Sequence, residues 1–130
     1  MNELQNLLNN LWTGTIESHV FDIYNHVIQL NVKVIRDNRI SHHCLKFRGV
    51  KSIYYINDQY PFSPEKDDYL ELTSVTYESE SLRKIKVASL SKDFSHLTSN
   101  TNFSIEIWGR EIFIHAASIE VDGKIFEIQV

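Results

Sequence analysis

The stretch Ile28-Gln29-Leu30-Asn31-Val32-Lys33-Val34 decides the fold class. Apolar and polar residues alternate along it without a break. A period of two places Ile28, Leu30, Val32 and Val34 on one face of a β-strand and the polar residues on the other. Asp37-Asn38 then marks a turn, and Ile40 to Phe47 resumes the alternation, with Leu45 and Phe47 set against Lys46 and Arg48. Gly49 interrupts this run and marks a bulge or bend before Val50 to Ile56.

The same period extends through the rest of the chain. Tyr69 to Tyr77 reads as a strand with Leu70 and Leu72 on one side, and Leu82 to Leu90 as another, with Ile85 and Val87 opposed to Lys84 and Lys86. Phe103, Ile105 and Ile107 precede a tight Trp108-Gly109-Arg110 connection. Ile112 to Val121 follows as one strand, then Asp122-Gly123 and Lys124 to Val130. Asp-Gly between two alternating runs is the strongest short hairpin signal. These runs predict an antiparallel meander of eight or nine short strands, folded as a sandwich or half-open barrel. Residues 57–68, with both prolines, and the Ser-, Thr- and Asn-rich residues 91–102 break the rhythm as long connections.

Only the N-terminus follows a different period. Leu4, Leu7, Leu8, Leu11 and Trp12 recur at i, i+3, i+4, i+7 and i+8, which stacks them on one helical face. Asn2 is placed to cap this helix, Gln5 occupies the capping-box position, and Gly14 sits where a left-handed residue would end it. With Asn2, Asn6, Asn9 and Asn10, Gln5 forms the polar face. So short a helix is marginal alone in water and must pack on the sheet. The expected class is mainly β, α+β at the margin: one domain over 1–130, with an amphipathic helix at 2–13 and antiparallel β structure over 15–130.

Composition agrees with this class and excludes others. Apolar residues make up 42% and charged residues 23%, which suits a folded chain and not a disordered one. Fifteen aromatic residues (seven Phe, six Tyr, two Trp) stand against four Gly and two Pro, a balance that favours a pleated, half-buried surface. No apolar run reaches the roughly 20 residues of a membrane span. The N-terminus lacks the pattern of a signal peptide. A net charge of −4 argues against general nucleic-acid binding. The single cysteine, Cys44, suits a reducing compartment, so a cytoplasmic location is expected.

Charge is unevenly distributed. Lys33, Arg36, Arg39, Lys46, Arg48 and Lys51 precede a strongly acidic stretch with Asp58, Glu65, Asp67, Asp68, Glu71, Glu78 and Glu80. In the simpler reading, neighbouring strands pair opposite charges across their wet faces. In the sharper one the acidic stretch docks a basic protein, with Tyr60 and Phe62 as aromatic anchors.

Signals for chemistry are weak. His42 and Cys44 share one strand face and His43 takes the other, so the His42-His43-Cys44 run supplies two ligands where zinc needs three or four. Nothing in sequence pairs Cys44 with a base, and its default role is a small buried hydrophobe. His115, within Ile112-Phe113-Ile114-His115-Ala116, reads as a hydrogen-bonded core residue. Nucleotide-binding, zinc-protease and hydrolase motifs are absent from the sequence. No catalytic residue, metal or cofactor is expected.

Several stretches resemble the YxiG-like proteins, small single-domain proteins of Bacillus and relatives. They are Leu8 to Trp12, Phe21-Asp22-Ile23-Tyr24, Phe47-Arg48-Gly49-Val50, Asp68 to Ser74, Asn102 to Trp108 and the region around Ala117-Ser118-Ile119. Genes of this family lie near polymorphic-toxin and immunity loci, so the resemblance implies an antitoxin-like or accessory role and transfers no site residue. The leading expectation is a non-enzymatic cytoplasmic protein that binds a toxin domain, without nucleic acid or membrane. A small-ligand or enzymatic barrel, with a cavity near His42, Cys44 or His115, is the alternative. A homodimer built by edge-to-edge pairing of Tyr-rich strands is the third.

Overall fold

The computed structural model describes residues 2–57, 72–77, 83–86, 98–107 and 110–128. After one helix, α1 (Asn2–Asn9), come strands β1 (Thr15–Asp22), β2 (Val27–Arg36), β3 (Arg39–Arg48), β4 (Ser52–Asn57) and β5 (Ser74–Tyr77). Then follow β6 (Arg83–Lys86), β7 (Thr98–Thr101), β8 (Phe103–Ile107), β9 (Arg110–His115), β10 (Ser118–Val121) and β11 (Lys124–Glu127). One sheet has the order β1-β2-β3-β10-β11, a second β4-β9-β8-β5, and β6 and β7 form a separate pair. All ladders are antiparallel. The sheets form two layers and no closed barrel.

The alternating stretch behaves as its period requires. Ile28, Leu30, Val32 and Val34 are buried, while Gln29, Asn31 and Lys33 lie on the wetter face. Asp37 and Asn38 both take positive φ (52° and 63°), as does the Asp122-Gly123 pair (50° and 88°). Both hairpins therefore turn in the type I′ sense that matches strand twist. Phe47 of the first sheet meets Phe103 of the second edge to face, centroids 5.1 Å apart, and Tyr77 continues the stack at 5.2 Å from Phe103. This aromatic column joins the two layers.

Connectivity differs from a simple meander, and eleven strands occur among the described residues against eight or nine expected. The expected strand Ile112 to Val121 is two strands in different sheets: β9 ends at His115, and β10 begins at Ser118 beside β3. The chain changes layer at Ala116-Ala117. The buried Asn102 side chain satisfies that corner, donating from Nδ2 to Ala116 O (2.9 Å) and accepting from Ala116 N–H at Oδ1 (3.0 Å). Alternation by itself could not reveal the break, because residues on both sides of it face the common core.

The helix also differs in detail. It stops at Asn9, and Leu11 and Trp12 follow in tighter turns closed by i→i−3 bonds. Leu4, Leu8 and Leu11 are buried as expected, but Trp12 is 60% exposed. Gln5, partly buried, bonds Asn9 Oδ1 on the wet face (2.8 Å) and also reaches the sheet. Its amide donates to Val75 O (3.1 Å) and accepts from Tyr77 N–H (3.0 Å), so it pairs with the backbone edge of β5. The left-handed residue after the helix is Thr13 (φ 67°), not Gly14. Gly14 is needed for close approach: a Cβ there would lie 2.5 Å from a Val32 methyl and 2.8 Å from Leu11 O. Its own carbonyl accepts from Leu72 N–H, and Thr13 N–H donates to Leu72 O.

Candidate functional site

The sheet edge formed by β1 carries the first candidate feature. Pairing with β2 shifts register between Ile16 and Ser18. A bulge of this kind reverses which side chains face inward. His19 and Phe21, opposite Leu30 and Ile28, therefore point toward the second layer. The layer does not cover them: Phe21 is 48% exposed. Two clefts open there. One, about 310 Å³, is lined by Ile16, His19, Phe21, Leu30, Tyr55 and Ile112, among others. The other, about 250 Å³, lies between Phe21 to Ile28 and Val50 to Ile53.

Further apolar side chains near these strands are exposed. Val20, Ile23 and Tyr24 of β1 and its turn are exposed, as are Tyr55 and Ile56 of β4, with Tyr24 at 91%. The turn itself is ordered. Asp22 accepts from the Asn25 backbone (3.0 Å) and side chain (2.8 Å). Those bonds, the side-chain one foremost, hold its carboxyl below the usual range. Ile23 and Tyr24 are thus presented to solvent by a structured loop.

The second feature lies at the far end of β3. Ser41 and His43 continue the inward face of that strand beyond the buried Leu45 and Phe47. His43 Nε2 lies 2.9 Å from Ser41 Oγ, and its Nδ1 lies 2.7 Å from Asp122 Oδ2. A carboxylate at Nδ1 selects the Nδ1–H tautomer, so His43 donates to Asp122 and accepts from Ser41. The other carboxylate oxygen, Oδ1, accepts from Cys44 N–H at 2.7 Å, and Asp122 N–H donates to Cys44 O at 3.0 Å. A cleft lined by Asn10, Val34, Arg36, Asp37, Arg39, Ser41 and His43 opens over this array.

The outer face of the first sheet has the character of an ordinary wet surface. Asn31 donates to Ser18 (2.7 Å), His42 meets Glu17 (3.1 Å), and Arg48 meets Glu120 (3.4 Å). His42 and Cys44 share this face, opposite to His43, as the strand period requires. Burial pushes the Cys44 thiol up, with Glu120 and Asp122 adding to the effect and Lys46 opposing it, so it is no reactive thiolate. Among the described residues, neither interlayer cleft is lined by His42, Cys44 or His115. His115 is buried, as expected for a core histidine, and its Nε2 has no hydrogen-bond partner among the described residues. Burial foremost, and the nearby Lys51, hold its pKa down.

The residues expected to bind a partner, Asp58, Tyr60, Phe62, Glu65, Asp67, Asp68, Glu71, Glu78 and Glu80, lie outside the described residues. Asp58 directly follows Asn57, the last residue of β4. Among the described residues no group of three or more His, Cys, Asp or Glu could hold a metal, and no helix is long and apolar enough to cross a membrane.

The family model for YxiG-like proteins matches residues 4–126. The chain belongs to the YxiG-like family. No curated protein matches it. For this YxiG-like chain, the sequence missed both features for physical reasons. Phe21 lies within one of the family-like stretches, but its exposure depends on a bulge. Ser41 and His43 stand two apart on a strand, which is visible in sequence, whereas Asp122 reads only as a turn residue.

Proposed function

We propose that this YxiG-like protein is a cytoplasmic protein-binding domain of the immunity or antitoxin type, which holds a toxin domain. The apolar edge supports this reading: Phe21, Ile23 and Tyr55 line the two clefts and stand exposed there. Apolar side chains left exposed at a cleft mark interaction sites, and aromatic side chains over pockets are the usual anchors. The acidic stretch begins where β4 leaves this edge, so apolar anchors and acidic charge are neighbours in the chain. A basic partner suits such a surface, since complementary charge speeds encounter and rejects wrong partners. Occlusion of a toxin in this way requires no catalysis.

The clefts also favour a second reading, a small apolar ligand between the layers. Their volumes of about 250 and 310 Å³ fall at or below the small end of ligand pockets, roughly 300 Å³, so a protein partner is preferred. Co-purification with toxin C-terminal domains encoded beside the gene tests the main reading. Phe21→Ser with Tyr55→Ser should weaken such a complex at least about tenfold, the effect of losing roughly 1.4 kcal/mol. Asp67→Lys with Asp68→Lys should slow association. A complex indifferent to both pairs of changes would overturn this reading.

A further inference from the structure

We propose that Ser41, His43 and Asp122 form a nucleophilic site that cleaves small carboxylic esters bearing a negative charge. This would be a second activity, on different residues from the apolar edge and independent of the protein-binding reading. Three side chains from two strand ends, 79 residues apart at His43 and Asp122, meet through bonds of 2.9 and 2.7 Å. The order of atoms is the one acyl transfer needs. The carboxylate takes the Nδ1–H and leaves Nε2 as the base facing the serine hydroxyl.

The supporting residues match this role. Asp122 is held by two bonds to Cys44, one to its side chain and one from its backbone N–H, so its carboxylate is fixed against the ring. Amides along an antiparallel strand alternate between its two edges. Cys44 turns its N–H and C=O toward Asp122, so His42, two residues back, turns its amide toward the same edge. The β10 ladder there has already ended at Val121 opposite Leu45. The His42 amide, one residue after Ser41, is therefore available to a developing oxyanion, the position used after the nucleophile in α/β-hydrolases. The cleft over Ser41 and His43 is also lined by Arg36 and Arg39, with Asp37 the sole acid among its lining residues. That excess of positive charge favours an anionic substituent on the ester.

In the reaction, Ser41 Oγ adds to the ester carbonyl carbon while its proton passes to His43 Nε2. The bond to the alcohol oxygen then breaks, and the alcohol leaves with that proton. Water, deprotonated by His43, attacks the acyl-serine, releasing the carboxylic acid and restoring the Ser41 hydroxyl.

The test is labelling of the full chain with a fluorophosphonate probe, followed by mapping of the modified residue. Labelling at Ser41 is expected, together with its loss in Ser41→Ala and a fall of about 100-fold in labelling rate in His43→Ala, the scale of general-base catalysis. Ser41 is exposed, so Ser41→Ala should keep the wild-type melting temperature. An unlabelled wild type, a label on another residue, or a His43→Ala variant that reacts at the wild-type rate would overturn the proposal.

Discussion

Asn102 and Ala116 are joined by a reciprocal pair of hydrogen bonds, with the side-chain amide of Asn102 engaging both the N–H and the C=O of Ala116. Both residues are 1% exposed. The corner where the chain leaves one sheet for the other has no strand ladder, and Asn102 takes the place of one.

Replacing Asn102 with Leu therefore leaves a buried donor and a buried acceptor unsatisfied. At roughly 1–3 kcal/mol for each stranded group, a loss of about 2–6 kcal/mol is expected. Urea denaturation measures it. A loss below about 1 kcal/mol would show that water or another group reaches the corner.

Gly49 bends the chain between β3 and β4 at φ 61°, and a Cβ there would lie 2.8 Å from the Ala117 Cβ. Gly49→Ala meets both a left-handed backbone, costing about 1–2 kcal/mol, and a clash with the layer-changing segment. Thermal unfolding of this variant should fall well below that of the wild type.

Gln5 pairs with the β5 edge through Val75 O and Tyr77 N–H. Gln5→Ala retains good helix propensity, so its cost reports these two bonds together with the one Gln5 donates to Asn9 Oδ1 (2.8 Å), about 1.5–4.5 kcal/mol at roughly 0.5–1.5 kcal/mol each. Hydrogen exchange at the Tyr77 amide should accelerate more than exchange at β2 amides.

His115 carries the pH dependence with the clearest sign. Its pKa in the folded chain lies below the ordinary 6.5 because burial, foremost, and Lys51 disfavour the charged ring. Above pH 6.5 the ring is neutral in both states and contributes no slope. As pH falls below 6.5 the unfolded chain takes up the proton first, so stability declines until the folded pKa is passed. Denaturation midpoints between pH 7.5 and 5 should fall for the wild type and fall less for His115→Gln. Equal slopes would assign the decline to other groups.

Local chemistry determined much of this protein from the sequence alone. Alternation from Ile28 to Val34 set the buried face of β2, and Asp37-Asn38 and Asp122-Gly123 set two tight hairpins, because side-chain period and positive φ are properties of neighbouring residues. The leucine positions of α1 were legible for the same reason. Tertiary structure decided what depends on distant groups. The chain changes layer at Ala116 because Asn102 is there to bond it, and Gln5 reaches beyond the polar face because the backbone of β5 lies beside it. Trp12 and Phe21 stand in solvent although their apolar character resembles that of buried residues, since exposure depends on what the opposite layer covers. Asp122 was legible as a turn. Only the register of β10 on β3 brings its carboxylate to His43.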